Sequence, residues 1–144
     1  MGARTTALGG LDMTCLAAAT LAAEARQRIG IRLAAWGLEH VAHDARLIAA
    51  ELIANACAAT PEGEVRIRFT REPTTVLLAV WDSSDEMPQV KPIVELDPQD
   101  LDLSPENWDD NGGWGLPMVQ AIASECGVKP TDPRGKWVWA KLIV

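Results

Sequence analysis

Tyrosine is absent from the 144-residue chain and phenylalanine occurs once, so its aromatic character rests on six tryptophans. Cysteine is scarce as well. Cys15, Cys57 and Cys126 are odd in number, far apart and form no CxxC pair, which argues against a disulfide framework or a zinc ribbon. Each reads as a small buried hydrophobe in a reducing compartment. Histidine is limited to His40 and His43, which can share a helix face. No third and fourth ligand accompany them, as a metal site would need. No Cys/His/Asp spacing suggests nucleophilic catalysis. No apolar run approaches the roughly 20 residues of a membrane helix, and Met1-Gly2-Ala3-Arg4 leads into no signal-peptide core. The expectation is a cytoplasmic protein without a membrane segment.

Positive charge is missing from one stretch in particular. Between Asp82 and Asp110 there are ten acids against one base, Lys91, a balance of −9; the remainder has ten acids and twelve bases, or +2, which together give the net charge of −7. The acidity therefore belongs to one segment. That segment also carries four of the nine prolines, and no glycine falls between Gly63 and Gly112. The acidic balance argues against direct nucleic-acid binding through phosphate neutralisation. A hydrophobic fraction of 48% in 144 residues fits one domain with one core and excludes wholesale disorder.

Residues 1–10 carry no pattern and read as a flexible tail ahead of a domain over 11–144. Leu11 to Ala18 suggests an edge strand. Thr20 can cap a helix, in which Leu21, Ala25, Ile29, Leu33 and Trp36 share one face. Glu24 and Arg28 are ordered for an i,i+4 pair on the other face, and Gly37 ends the helix. A second helix spans Val41 to Ala59 and stops at Thr60-Pro61-Glu62-Gly63. Val65, Ile67 and Phe69 alternate with Arg66, Arg68 and Thr70 as in a half-exposed strand. After the turn Glu72-Pro73-Thr74, Val76 to Trp81 is apolar on both faces and reads as a central strand. The acidic segment follows as a long loop, about 83–111, of the length that functional lids have. A third helix opens near Gly115, with Leu116, Val119, Ile122 and Ala123 inward. Cys126–Lys129 and Trp137–Val144 are the last strands. Trp36 and Trp139 are assigned to the core. The order β-α-α-β-β-lid-α-β-β predicts an α/β fold: a two-layer sandwich of a mixed, mostly antiparallel sheet with helices on one face.

Three features carry chemistry. Glu51 and Asn55 lie one turn apart on one helix face, where burial demands polar partners; a solvated face is the plainer reading. Asp82 ends an apolar strand, where ligand contacts gather, although Asp-Ser-Ser is also good turn chemistry. Gly112, Gly113 and Gly115 open a helix, where free backbone N–H groups attract anions, or simply form a loop-to-helix junction.

In this order the parts resemble the Bergerat-fold (GHKL) ATPase superfamily, in particular its anti-sigma-factor and serine-kinase branch. Glu51-Leu52-Ile53-Ala54-Asn55-Ala56 is similar to the N box. Trp81-Asp82-Ser83-Ser84 resembles the first glycine box and Gly112-Gly113-Trp114-Gly115-Leu116 the second. Gly135-Lys136-Trp137-Val138-Trp139-Ala140 is similar to the last strand, and Ala34-Ala35-Trp36-Gly37-Leu38 fits the branch. The resemblance covers about Met13 to Val144. It implies the Bergerat ATP-binding fold with ATP and Mg²⁺ as cofactors. Glu51 would be the catalytic base, Asn55 the magnesium ligand, and Asp82 the acceptor for the adenine amine. Gly112, Gly113, Gly115 and Leu116 would bind the phosphates. It also implies a protein partner, such as a sigma factor or its antagonist, and a homodimer. The activity would be serine/threonine kinase or weak ATPase; the alternative is a non-catalytic, ATP-responsive or nucleotide-independent adaptor.

Overall fold

The computed structural model describes residues 10–84 and 115–144, with the side chains of Gly115 and Leu116 left aside. The expected tail, apart from Gly10, which opens a strand, and the expected lid from Asp85 onward lie outside the described residues, as do Gly112, Gly113, Trp108 and Trp114.

Alternation builds the sheet. In β2 (Glu64–Arg71), Val65, Ile67 and Phe69 are fully buried while Arg66 and Arg68 point away. Leu11 and Met13 of β1 (Gly10–Leu16) pair with Phe69 and Ile67, and so fall on the same face. Val76, Leu78 and Val80 of β3 (Thr75–Asp82) continue it, followed by Val138, Ala140 and Leu142 of β5 (Lys136–Ile143). β4 (Glu125–Pro130) closes the far edge. The strand order is β1-β2-β3-β5-β4 and every pairing among the described residues is antiparallel. The sheet, anticipated as mixed but mostly antiparallel, is antiparallel throughout these residues, with β1 on an edge and β3 at the centre as read from the sequence.

Helices cover the buried face. In α1 (Leu21–Ala35), Leu21, Ala25, Ile29 and Leu33 are at most 2% exposed. Trp36 follows and stacks on Phe69, ring centroids 5.6 Å apart. Thr20 stands at the N-cap position but makes no side-chain cap bond. Glu24 and Arg28 form their pair at 2.8 Å. At the other end Gly37 takes φ +72°, and the bonds Gly37 N–H to Ala34 O and Leu38 N–H to Leu33 O close the helix, a Schellman arrangement. A 3-10 turn, Glu39–Val41, leads into α2 (Ala42–Ala59). Ala45, Ile48, Ala49, Leu52, Ile53 and Ala56 form its buried stripe. Small alanines there let α2 lie close to the sheet. α3 (Gly115–Ile122) buries Val119 and packs against α2.

Two assignments change. Trp139 is on the open face of the sheet, partly exposed, with its ring over Gly127; the inward position beside it belongs to Ala140. The cysteines are free thiols but none is fully buried, and Cys126, on the β4 edge, is exposed. β4 is the outermost strand of the sheet, with a partner on one side alone among the described strands, and leaves Cys126 open to solvent. None of the described helices is long and apolar enough to cross a membrane.

Candidate functional site

The site begins on α2. At 100° per residue, Glu51 and Asn55 share one flank of the helix, beside the buried stripe. The opposite flank carries His43, Arg46 and Ala50, which line a groove with Arg26 and Gln27 of α1. Glu51 and Asn55 therefore turn away from α1, toward the side of α2 that remains for α3. Both are partly buried. Burial pushes the Glu51 carboxyl above its ordinary value, as expected when a charge is partly desolvated. The Asn55 Nδ2 atom is buried and has no hydrogen-bond partner among the described residues. Buried amide nitrogens are normally satisfied, so this carboxamide is an anomaly that a ligand would resolve.

Asp82 stands at the end of β3, on the face that the helices cover, and is 2% exposed. Its surroundings are specific. Lys136, its register partner on β5, donates from Nζ to Asp82 Oδ1 at 2.9 Å. Ser84 N–H donates to the same oxygen at 2.9 Å, and Nζ also donates to Ser84 O at 3.1 Å. Lys136 is itself only 3% exposed. The Ser84 bond is the Asx-type turn that Asp-Ser-Ser favours, so the turn reading and the site reading coexist at one residue. The end of α2 is tied in by Thr60, whose Oγ1 accepts from Ser83 N–H at 3.2 Å.

The local chain is shaped for this pairing. Gly135, just before Lys136, takes φ +89°, and a Cβ there would lie 2.6 Å from Asp82 O. Only glycine lets β5 start this close to β3. Trp81, adjacent to Asp82, faces the other way: Nε1–H donates to Thr131 Oγ1 at 2.9 Å, and Arg66 lies over the ring at 5.1 Å.

Of the residues anticipated from sequence, Glu51, Asn55 and Asp82 lie at the helix–sheet interface or its rim, and Gly115 and Leu116 open α3. The residue that sequence reading missed is Lys136. It was legible only as part of the motif Gly135–Ala140, because its partnership with Asp82 depends on strand register. Among the described residues no group of three or more His, Cys, Asp or Glu side chains could hold a metal ion. A magnesium site here would thus be of the sparse type, in which the ion keeps most of its waters and takes its other ligands from phosphates.

Comparison with curated proteins finds no significant match. The family model of the histidine kinase-like ATPase domain, by contrast, matches residues 14–142. That span takes in every strand and helix described above save the first residues of β1 and the last of β5, and the chain belongs to the histidine kinase-like ATPase domain family.

Proposed function

We propose that the chain is an ATP-binding regulator of the anti-sigma type, which binds Mg-ATP between α2 and the ends of β3 and β5 and transfers the γ-phosphate to a serine or threonine of a protein antagonist. The observation that carries this reading is Glu51 one turn from Asn55, whose buried Nδ2 atom has no described partner, in a chain of the histidine kinase-like ATPase family.

A carboxamide oxygen is a hard donor of the kind magnesium takes, and the Asn55 Nδ2 group, which no described residue engages, is left to donate to a phosphate oxygen. Asn55 would hold the ion, whose positive charge, when bound, offsets that of the phosphates. Glu51 would accept the proton of the attacking hydroxyl. Its raised pKa suits that role, since a stronger base takes a proton more readily. Partial burial keeps bulk water from screening it. Gly115 and Leu116, together with Gly112 and Gly113, would present backbone N–H groups to the phosphates at the start of α3. Phosphoryl transfer asks little covalent chemistry of the protein, so positioning by these groups is the main contribution. A sigma factor or its antagonist as partner, a homodimer and a cytoplasmic location belong to this reading.

The test is transfer of labelled γ-phosphate to a candidate antagonist, or release of phosphate, by wild type and Glu51→Ala. The proposal expects a loss of about 10²-fold or more in the variant with nucleotide binding retained. A second reading, an ATP-responsive adaptor without turnover, is favoured by the engagement of Asp82 with Lys136. It expects equal background rates in both proteins, with Mg-ATP still bound.

A further inference from the structure

The carboxylate that the nucleotide reading assigns to adenine is already engaged through Oδ1. Lys136 and Asp82 form a buried ion pair at 2.9 Å, with side chains 4% and 3% exposed. Burial of either charge alone is costly, and the pair persists because each neutralises the other and further hydrogen bonds complete the set. Those bonds are present: Asp82 Oδ1 accepts from Nζ and from Ser84 N–H, while Nζ also reaches Ser84 O. Gly135 fixes the arrangement from behind, because its missing Cβ lets the β5 backbone come within contact of Asp82 O. Lys136 is thus bound to both the carboxylate and the first residues beyond β3.

The exocyclic amine of adenine is a neutral donor. A bond from an ammonium to a carboxylate joins two opposite charges, an attraction that a neutral amine does not offer the same carboxylate. An incoming base does not displace Lys136 from Oδ1 on hydrogen-bond strength alone. We infer that Lys136 is the residue that sets base selectivity in this chain: by neutralising Asp82 and holding its Oδ1, it weakens the acceptor that would single out adenine, so that the site takes purine nucleoside triphosphates by their phosphate and magnesium end with little regard to the base. This inference rests on the nucleotide reading of the site. It concerns the base end of the site, so its failure leaves Glu51 and Asn55 untouched.

Calorimetric titration of the full chain with Mg-ATP and Mg-GTP tests it. Wild type is expected to bind the two within about threefold of each other. Lys136→Thr frees Asp82 and is expected to raise ATP over GTP by about tenfold, the value of one well-placed hydrogen bond. Lys136→Gln keeps the reach and a donor without the charge. It is expected to give a smaller gain in the same direction, and it decides the matter if the threonine variant does not fold. A wild type that already prefers ATP tenfold overturns the inference, as does an ATP-to-GTP ratio that neither variant changes. Both outcomes leave the nucleotide reading standing. If neither nucleotide binds to any form, the nucleotide reading falls, and this inference with it.

Discussion

Glu51 and Asp82 are both carboxylates withdrawn from water, and the fold treats them in opposite ways. Asp82 is given an ammonium and a backbone N–H, whereas burial is the one cause acting on Glu51 and raises its pKa. The consequences for stability differ accordingly. Asp82→Ala strands the Lys136 ammonium in the interior, which costs about 3–5 kcal/mol, measurable as a lower urea midpoint at unchanged slope. Asp82→Asn keeps an acceptor for both donors and is expected to cost less. Glu51 behaves as an acid whose folded-state pKa lies above its unfolded one. Its contribution is favourable below the unfolded value and is lost as pH rises through the folded value. Glu51→Gln therefore raises the melting temperature at neutral pH, and the gain disappears as pH falls below the ordinary carboxylate range. A gain that persisted in acid would mean that something other than ionisation is responsible.

At the level of elements, two glycines with left-handed backbone separate conformational strain from crowding. Gly37 ends α1 at φ +72° with nothing within 4 Å of the place an alanine methyl would take, whereas Gly135 opens β5 at φ +89° with Asp82 O and the Trp81 ring at 2.6 Å. Gly37→Ala is expected to cost only the left-handed penalty, about 1–2 kcal/mol. Gly135→Ala adds a displacement of β5 against β3 and should cost more, with the Asp82–Lys136 pair disturbed as well. Equal losses in denaturant titrations would contradict that account. The same elements explain what the sequence could reveal. β2 was legible because Arg66 and Arg68 interrupt its apolar residues and fix its faces. β5 was legible as a strand but not in its faces, since Trp137 and Trp139 are as apolar as Val138 and Ala140; which set faces the helices follows from register with β3. Arg68 over Trp137 at 5.0 Å and Arg66 over Trp81 make the open face an aromatic surface shielded by guanidinium groups, which lets large rings remain partly exposed.

At the level of the whole molecule, stability, binding and turnover can be pulled apart. The candidate site draws on pieces far apart in the chain: Glu51 and Asn55 come from α2, Asp82 from β3 and Lys136 from β5. The first three were legible because polar residues in apolar settings stand out locally. Lys136 was not, because its meaning depends on a partner 54 residues away. A ligand that bridges such pieces stabilises the fold as a unit. At a concentration one hundred times its Kd, Mg-ATP contributes about 2.7 kcal/mol, roughly 5–11 °C in melting temperature for a domain of this size. With Asn55 in the proposed magnesium role, Asn55→Ala should abolish most of that shift while leaving the ligand-free melting temperature little changed, since the amide nitrogen has no described partner to lose. Glu51→Ala should retain the shift and lose turnover. A shift of the same size in wild type and Asn55→Ala would mean that the nucleotide binds without Asn55, and would remove this residue from the magnesium role.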